Sequence, residues 1–288
     1  MNNSARRAVV TGGTGFVGRE LVRQLAASNW QVNVLHRPGS PVPASPLAGV
    51  SYLPFRSVFE AANSAAAAKP AALFHLAAHQ LKSHSTADVP DFIEANVSFG
   101  AHLLESLRSS ECVVVNTMSY FQFRHGIPHA HSLYSATKQA YAAVADFYRE
   151  VEGMDIRDVI LFDNYGPHDS RSKLINHVIH ALRTDTPVAL GPHSQPINAL
   201  HVSDVASGLI AASLPGNPAT MSVKAAADST VGQLVAELES IAGRAVAATF
   251  ANDRQPNDLV ENAGSWPAPL RWTPAMTVTE GLANTYSN

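Results

Sequence analysis

A glycine-rich turn constrains this chain more than any other feature. Thr11-Gly12-Gly13-Thr14-Gly15-Phe16-Val17-Gly18 stands between the run Ala8-Val9-Val10 and an apolar stripe of Val17, Leu21, Val22 and Leu25 at helical spacing. Glycine there permits a tight strand-to-helix turn and lets backbone N–H groups approach a pyrophosphate at the positive helix end. A lone glycine triplet serves turning alone in many loops. Context gives this one weight, because more strand–helix units follow it. Val32-Asn33-Val34-Leu35 reads as the second strand, and Leu73-Phe74-His75-Leu76 and Cys112-Val113-Val114-Val115 as buried strands. An alanine-rich helix spans 61–68, and long amphipathic helices lie near 92–107 and 134–151. Such alternation predicts an α/β fold, a Rossmann doubly wound parallel sheet with helices on both faces. After Pro167 the pattern loosens into a helix over 174–182, a short strand over 187–190, a helix over 231–242 and a loop over 263–269. The expected organisation is a dinucleotide-binding domain at 1–165 with a returning segment near 195–212. A smaller C-terminal α/β substrate cap follows at 166–288.

Of the 288 residues, 46% are hydrophobic and 15% charged, which suits a buried core and excludes a disordered chain. Twenty Lys and Arg against 23 Asp and Glu leave a net charge of −3. That balance lacks the broad cationic surface of a nucleic-acid binder, so no nucleic-acid partner is expected. The single cysteine, Cys112, forms no internal disulfide and no cysteine zinc cluster. The start, Met1 to Arg7, has no apolar signal stretch, and no run nears the roughly 20 apolar residues of a membrane span. A soluble, cytoplasmic protein without a membrane partner is the expectation. His125, His129 and His131 share one loop without acidic partners or helical i, i+4 spacing, which reads as polar loop and not as a metal site.

The dinucleotide fingerprint puts an acid at the end of the second strand, where it binds the ribose 2′-hydroxyl of NAD. Here His36-Arg37 occupies that place. No carboxylate would repel a 2′-phosphate there, and a guanidinium grips one with paired hydrogen bonds. NADP(H) is therefore expected over NAD(H), held by Gly12, Gly13, Thr14, Gly15, Phe16, Val17, Gly18, His36 and Arg37. Further on, Tyr134 and Lys138 lie four apart and share one helix face. An ammonium beside a phenol lowers its pKa from about 10 and makes it a usable proton donor or acceptor. Thr117, at the end of the 112–116 strand, is expected to offer its hydroxyl to a substrate carbonyl.

With these parts in order, the chain resembles the extended short-chain dehydrogenase/reductases, the NAD-dependent epimerase/dehydratase family. The resemblance also rests on Phe74-His75-Leu76-Ala77-Ala78, Asn96-Val97 before Leu103-Leu104-Glu105, Tyr165-Gly166-Pro167, and His201-Val202-Ser203-Asp204-Val205. Trp272-Thr273-Pro274 and Glu280-Gly281-Leu282 close it. It implies that Leu76, Ala77 and Ala78 line the cofactor, that Tyr134 and Lys138 contact it, and that Asn96 supports the active-site helix. The stretch 116–204 is similar to the CDP-paratose and CDP-abequose synthases in Asn116-Thr117-Met118-Ser119-Tyr120-Phe121, Leu133 to Gln139, and Leu161 to Arg171, with Gln195 and Asn198 fitting as well. That similarity implies substrate contacts from Ser119, Asn164 and Gln195 beside Thr117. Arg171 and Lys173 follow the Tyr165-Gly166-Pro167 turn, where they either hold a sugar nucleotide's pyrophosphate or form a solvated helix start.

Departures matter too. Met118-Ser119 replaces the Asp-Glu pair of the 4,6-dehydratases, and Cys112 lies too early to be the cysteine of the C3,C5-epimerising members. Ile197 stands where many relatives carry an arginine, and Phe55 near their adenine-binding aspartate. The resulting expectation is NADPH-dependent reduction of the C4 ketone of a nucleotide-activated 4-keto-6-deoxy or 3,6-dideoxy hexose, with Tyr134 as proton donor. An NAD-dependent nucleotide-sugar 4-epimerase and a non-catalytic dinucleotide-binding relative remain as alternatives. The resemblance also implies a homodimer built on the helices near 92–107 and 134–151.

Overall fold

The computed structural model describes residues 6–81, 83–252 and 263–288. Seven parallel strands form the main sheet: β1 (Arg7–Thr11), β2 (Gln31–His36), β3 (Val50–Pro54), β4 (Ala72–His75), β5 (Val113–Ser119), β6 (Ile156–Leu161) and β7 (Thr220–Val223). Their order is β7-β6-β5-β4-β1-β2-β3. Thr11 at the end of β1 pairs with Leu35 on one side and His75 on the other. The strand order therefore reverses at β1 and β4, and a ligand crevice opens at their C-terminal ends.

Val9, Val10, Leu73, Phe74, Val114 and Val115 are fully buried, as expected of strands covered on both faces. On one face α1 (Phe16–Ala27) and α7 (Val202–Ala212) pack together through Leu21, Leu25, Val205 and Leu209. On the other lie α2 (Val58–Ala67), α4 (Phe99–Leu107) and α5 (Leu133–Glu150), meeting through Ala61, Leu103, Leu107 and Tyr141. The helix expected near 92–107 is composite. A short α3 (Val89–Ile93) runs through a single π turn at Glu94–Ser98 into α4. The extra residue of a π turn re-aims one side chain, and such turns recur at functional sites. Here that side chain is the buried Asn96.

Sequence periodicity passes over β3, β6 and β7. Arg157 and Asp158 interrupt the apolar run of β6, although both are buried. Beyond the sheet, α6 (Leu174–Thr184), α8 (Val231–Ala242) and α9 (Val278–Ser287) pack around Ile175, Val178, Leu182, Leu234, Leu238 and Leu282 in a cluster of their own. A short parallel pair, Val188–Leu190 with Ala248–Phe250, edges it. At the far edge of the main sheet, β7 pairs with β6 from Thr220 to Val223. No described helix is long and apolar enough to cross a membrane. The start read above as free of a signal stretch lies, for residues 1–5, outside the described residues.

Candidate active site

The glycine turn leaves room that side chains would fill. Gly12 has φ +68°, and a Cβ on it would stand 2.8 Å from the backbone of Leu76 and Ala77. A Cβ on Gly18 would lie 2.1 Å from the Gly12 carbonyl oxygen. Gly15 donates to that carbonyl at 3.0 Å and caps α1 without any side-chain bond. The first-turn N–H groups of α1 therefore stay available to an anion. A cavity of about 290 Å³ opens beside the turn, lined by Gly12, Thr14, Gly15, His36, Arg37, Leu76, Ala77 and Ala78 among others. A second cleft of about 270 Å³ adjoins it and takes in Phe16, Val17 and Gly18. Gly13 differs, because its α-carbon faces Val34, Val10 and Val22 in the core and serves close packing instead. The shape and the free helix terminus fit a dinucleotide.

The adjoining cleft gathers Thr117, Ser119, Tyr134, Asn164, Arg171 and Lys173. Ser132 caps α5 by accepting from the Ser135 N–H, which sets Tyr134 and Lys138 one turn apart at its start. Burial pushes the Tyr134 phenol up to about 12, against a hydrogen bond with Ser119 that pulls it down. The lysine-lowered phenol expected from spacing is thus corrected. Lys138 is buried behind the cleft and gives its ammonium to the Thr117 carbonyl at 2.5 Å. Burial lowers Lys138 to about 8, with the Asp158 charge acting in the opposite sense.

Thr117 is corrected as well. It lies within β5, not beyond its end, and its hydroxyl donates to the His75 carbonyl at 3.0 Å. The hydroxyl bonded to Tyr134 is that of Ser119. His75 in turn shares a 2.8 Å hydrogen bond between Nδ1 and Thr11 Oγ1, and burial, then Lys138, holds its imidazole neutral with a pKa near about 3. Thr11, His75, Thr117 and Lys138 form one buried tie across β1, β4, β5 and α5. Asn96 acts beside it. Its Oδ1 accepts from the His79 N–H at 2.7 Å, and its Nδ2 donates to the His79 carbonyl and to Thr137 Oγ1, both at 2.9 Å. Asn96 thereby fixes the loop after β4 against α5.

Two carboxylates were not singled out in the sequence. Asp158 is buried within reach of the Lys138 charge, with Asn116 Nδ2 donating to it at 2.7 Å and Arg149 paired to it. Burial raises its pKa, while Arg149 and Asn116 lower it. Asp163 lines the cleft itself, accepting from the Tyr120 hydroxyl at 2.8 Å and facing Lys173 at 3.4 Å. Tyr120 stacks on Phe162 with ring centroids 5.1 Å apart, so one side of the cleft is aromatic.

Arg171 sits 4.4 Å over the Phe16 ring and donates to Asp169 Oδ1 at 2.7 Å and to Asn164 Oδ1 at 2.7 Å. It bridges the glycine turn and the cap. Gln195 is not brought to the cleft. Its N–H donates to the Pro192 carbonyl and its own carbonyl accepts from Val231, which ties it to the start of α8. Asn198 likewise serves the cap, bonding the Ala225 backbone and Asp228. Cys112 is buried, and burial pushes its thiol up to about 12, so it is no nucleophile.

With this geometry in view, the sequence profile of the NAD dependent epimerase/dehydratase family matches residues 8–219. The chain belongs to that family. It is an NAD(P)-dependent enzyme. A CDP-abequose synthase of Yersinia pseudotuberculosis is 23% identical over 209 residues, 71% of this chain and 72% of the relative. A UDP-glucuronate 4-epimerase of Thermodesulfobacterium geofontis is 24% identical over 228 residues, 74% of this chain and 71% of the relative. Among solved structures, UDP-glucuronic acid 4-epimerase of Bacillus cereus with UDP-glucuronic acid and NAD superposes with a TM-score of 0.81. It covers 98% of each chain at 17% identity, a likeness of fold.

Proposed function

We propose that this family member reduces the C4 ketone of a nucleotide-activated 4-keto-6-deoxy or 3,6-dideoxy hexose, using NADPH. The observation that carries the reading is the Tyr134 phenol, bonded to Ser119 in a cleft continuous with the glycine turn. A reductase needs its acid protonated before the chemical step. A bound reduced dinucleotide supplies a hydride, and the ketone oxygen takes its proton from Tyr134 Oη. Ser119 orients that oxygen, and Lys138 braces the strand end through the Thr117 carbonyl. Asn164, Arg171 and Lys173 face the substrate's nucleotide side. The aromatic wall of Tyr120, Phe121 and Phe162 suits a sugar that has lost hydroxyls. Turnover of a panel of CDP-, dTDP-, UDP- and GDP-4-keto sugars with NADPH tests the reading; consumption of NADPH with none of them overturns it.

The 4-epimerase alternative draws on the match to the Thermodesulfobacterium relative. An epimerase should purify with tightly bound NAD absorbance and turn over without added cofactor. A reductase should consume NADPH stoichiometrically.

The NADPH preference is supported by His36 and Arg37 on the cavity wall, with no acid at the end of β2. NADPH is expected to bind more tightly than NADH, and Arg37→Ala to remove most of the difference. A charge-assisted contact contributes about 1.5–3 kcal/mol, roughly ten- to a hundredfold in Kd. Equal affinity of the unmodified protein for both cofactors would sink the idea.

The homodimer is supported by exposed apolar side chains on the two helical units, Ile93 on α3 with Phe147 and Val151 at the end of α5. Light scattering at micromolar concentration should give twice the chain mass. A monomer mass refutes it.

A further inference from the structure

Phe55 lines the cavity beside the glycine turn, in the loop that leads from β3 to α2. The first two backbone N–H groups of that loop are already committed. Phe55 donates its N–H to the His36 carbonyl at 3.0 Å. The next N–H, of Arg56, goes to Glu60 Oε2 at 2.7 Å. The Ser57 hydroxyl caps α2 by accepting from the Glu60 N–H at 3.2 Å. What the loop presents to the cavity is apolar surface. The Phe55 ring lies 5.2 Å from Phe99, and Val58 packs into the same cluster. Leu35, Leu76 and Ala95 add to the lining. Among the described lining residues the sole carboxylate is Glu94, whose side chain is exposed to solvent.

A purine ring offers two kinds of recognition. Its faces stack on aromatic surface whatever the base, whereas its edge carries the pattern that distinguishes one base from another. Adenine presents an N6 donor beside an N1 acceptor. Hypoxanthine inverts both, with an O6 acceptor beside an N1 donor. A site that reads the edge leaves a buried group unpaired when the pattern is inverted, and rejects the analogue steeply. We infer that this enzyme holds the purine of its dinucleotide by shape and apolar contact at Phe55, Val58 and Phe99, leaves the 6-position unread, and accepts hypoxanthine in place of adenine. This rests on the cavity beside the glycine turn being the adenosine end of the dinucleotide site.

The test is equilibrium binding to the full chain, followed by calorimetry and by nicotinamide fluorescence, without turnover. The probes are NADPH and reduced nicotinamide hypoxanthine dinucleotide phosphate, with the NADH pair alongside. The two bases are expected to bind within about threefold of each other, a spread smaller than one net hydrogen bond. Phe55→Leu should weaken both equally, by about five- to tenfold, through loss of ring contact. Glu94→Gln should leave their ratio unchanged. A preference for adenine of tenfold or more in the unmodified chain overturns the inference. So does a ratio that changes with Glu94→Gln, which would make Glu94 the reader of N6. Unchanged affinity of Phe55→Leu for both bases removes the contact on which it stands. Failure of the adenine form itself to bind overturns the cavity's assignment as the dinucleotide site, and the inference with it.

Discussion

Tyr134→Phe is expected to slow reduction of a 4-keto sugar nucleotide by about 10²–10⁴-fold, the usual contribution of a positioned general acid. The substitution removes one hydroxyl and leaves the ring. Nothing in the tie between Thr11, His75, Thr117 and Lys138 passes through that hydroxyl, so folding and NADPH binding should stay close to normal. Ser119 loses its partner but stays on the cleft wall, where water can reach it. If Tyr134 and Lys138 were an ordinary helix pair, their interaction would contribute only about 0.2–0.5 kcal/mol, and turnover would be unaffected. Stopped-flow loss of NADPH absorbance separates the two cases. An unimpaired Tyr134→Phe ends the mechanism proposed here.

Lys138→Met is expected to cost more, toward the upper end of that range at about 10⁴-fold, and to weaken NADPH binding where Tyr134→Phe does not. The buried ammonium ties α5 to the end of β5 beside the cleft, and by the family resemblance it contacts the cofactor. Its removal also leaves the buried Thr117 carbonyl without the bond that Nζ now gives it. A buried acceptor left unpaired costs about 1–3 kcal/mol, so a lower melting temperature should accompany the kinetic defect. The pH dependence carries a sign. With the Lys138 pKa near about 8, the cation is present below that pH and lost above it. Activity of the unmodified enzyme should therefore fall as pH rises through about 8, and the residual activity of Lys138→Met should lack that limb. A variant that retains the same alkaline limb would assign it to another group.

Much of this site could be read before any coordinates. The glycine turn and the Tyr134–Lys138 pair are local features, fixed by a turn and by one helical repeat. Thr117 and Ser119 are harder. Two residues apart in one strand, they point to the same face, so spacing cannot say which hydroxyl meets the phenol. The turn of α5 decides it, and it favours Ser119. Asp158 was hidden for a similar reason. It becomes a neighbour of Asn116 only through the pairing of β5 with β6, across 42 residues of sequence. Gln195 went the other way. It follows a suggestive loop, but pairing of Pro196–Ile197 with Ser229–Thr230 draws that loop toward α8 and away from the cleft. Phe55 was legible as a departure near the adenine-binding aspartate of relatives, but its packing on Phe99 and Val58 comes from distant segments and carries no local signal.

The single π turn at Glu94–Ser98 also fixes the phase of everything after it. Each residue of a regular helix advances about 100° around the axis. Deleting one residue from this turn would restore unbroken α-helical bonding, a local gain. It would also rotate the following helix by about 100°, carrying Leu103, Leu104 and Leu107 off the sheet and bringing polar positions onto it. The irregular turn therefore acts as an angular offset between two registers. The part before it aims Asn96 at the loop and α5, and the part after it seats three leucines in the core. Chain length here is locked to the residue, and a neutral change of length has to occur elsewhere.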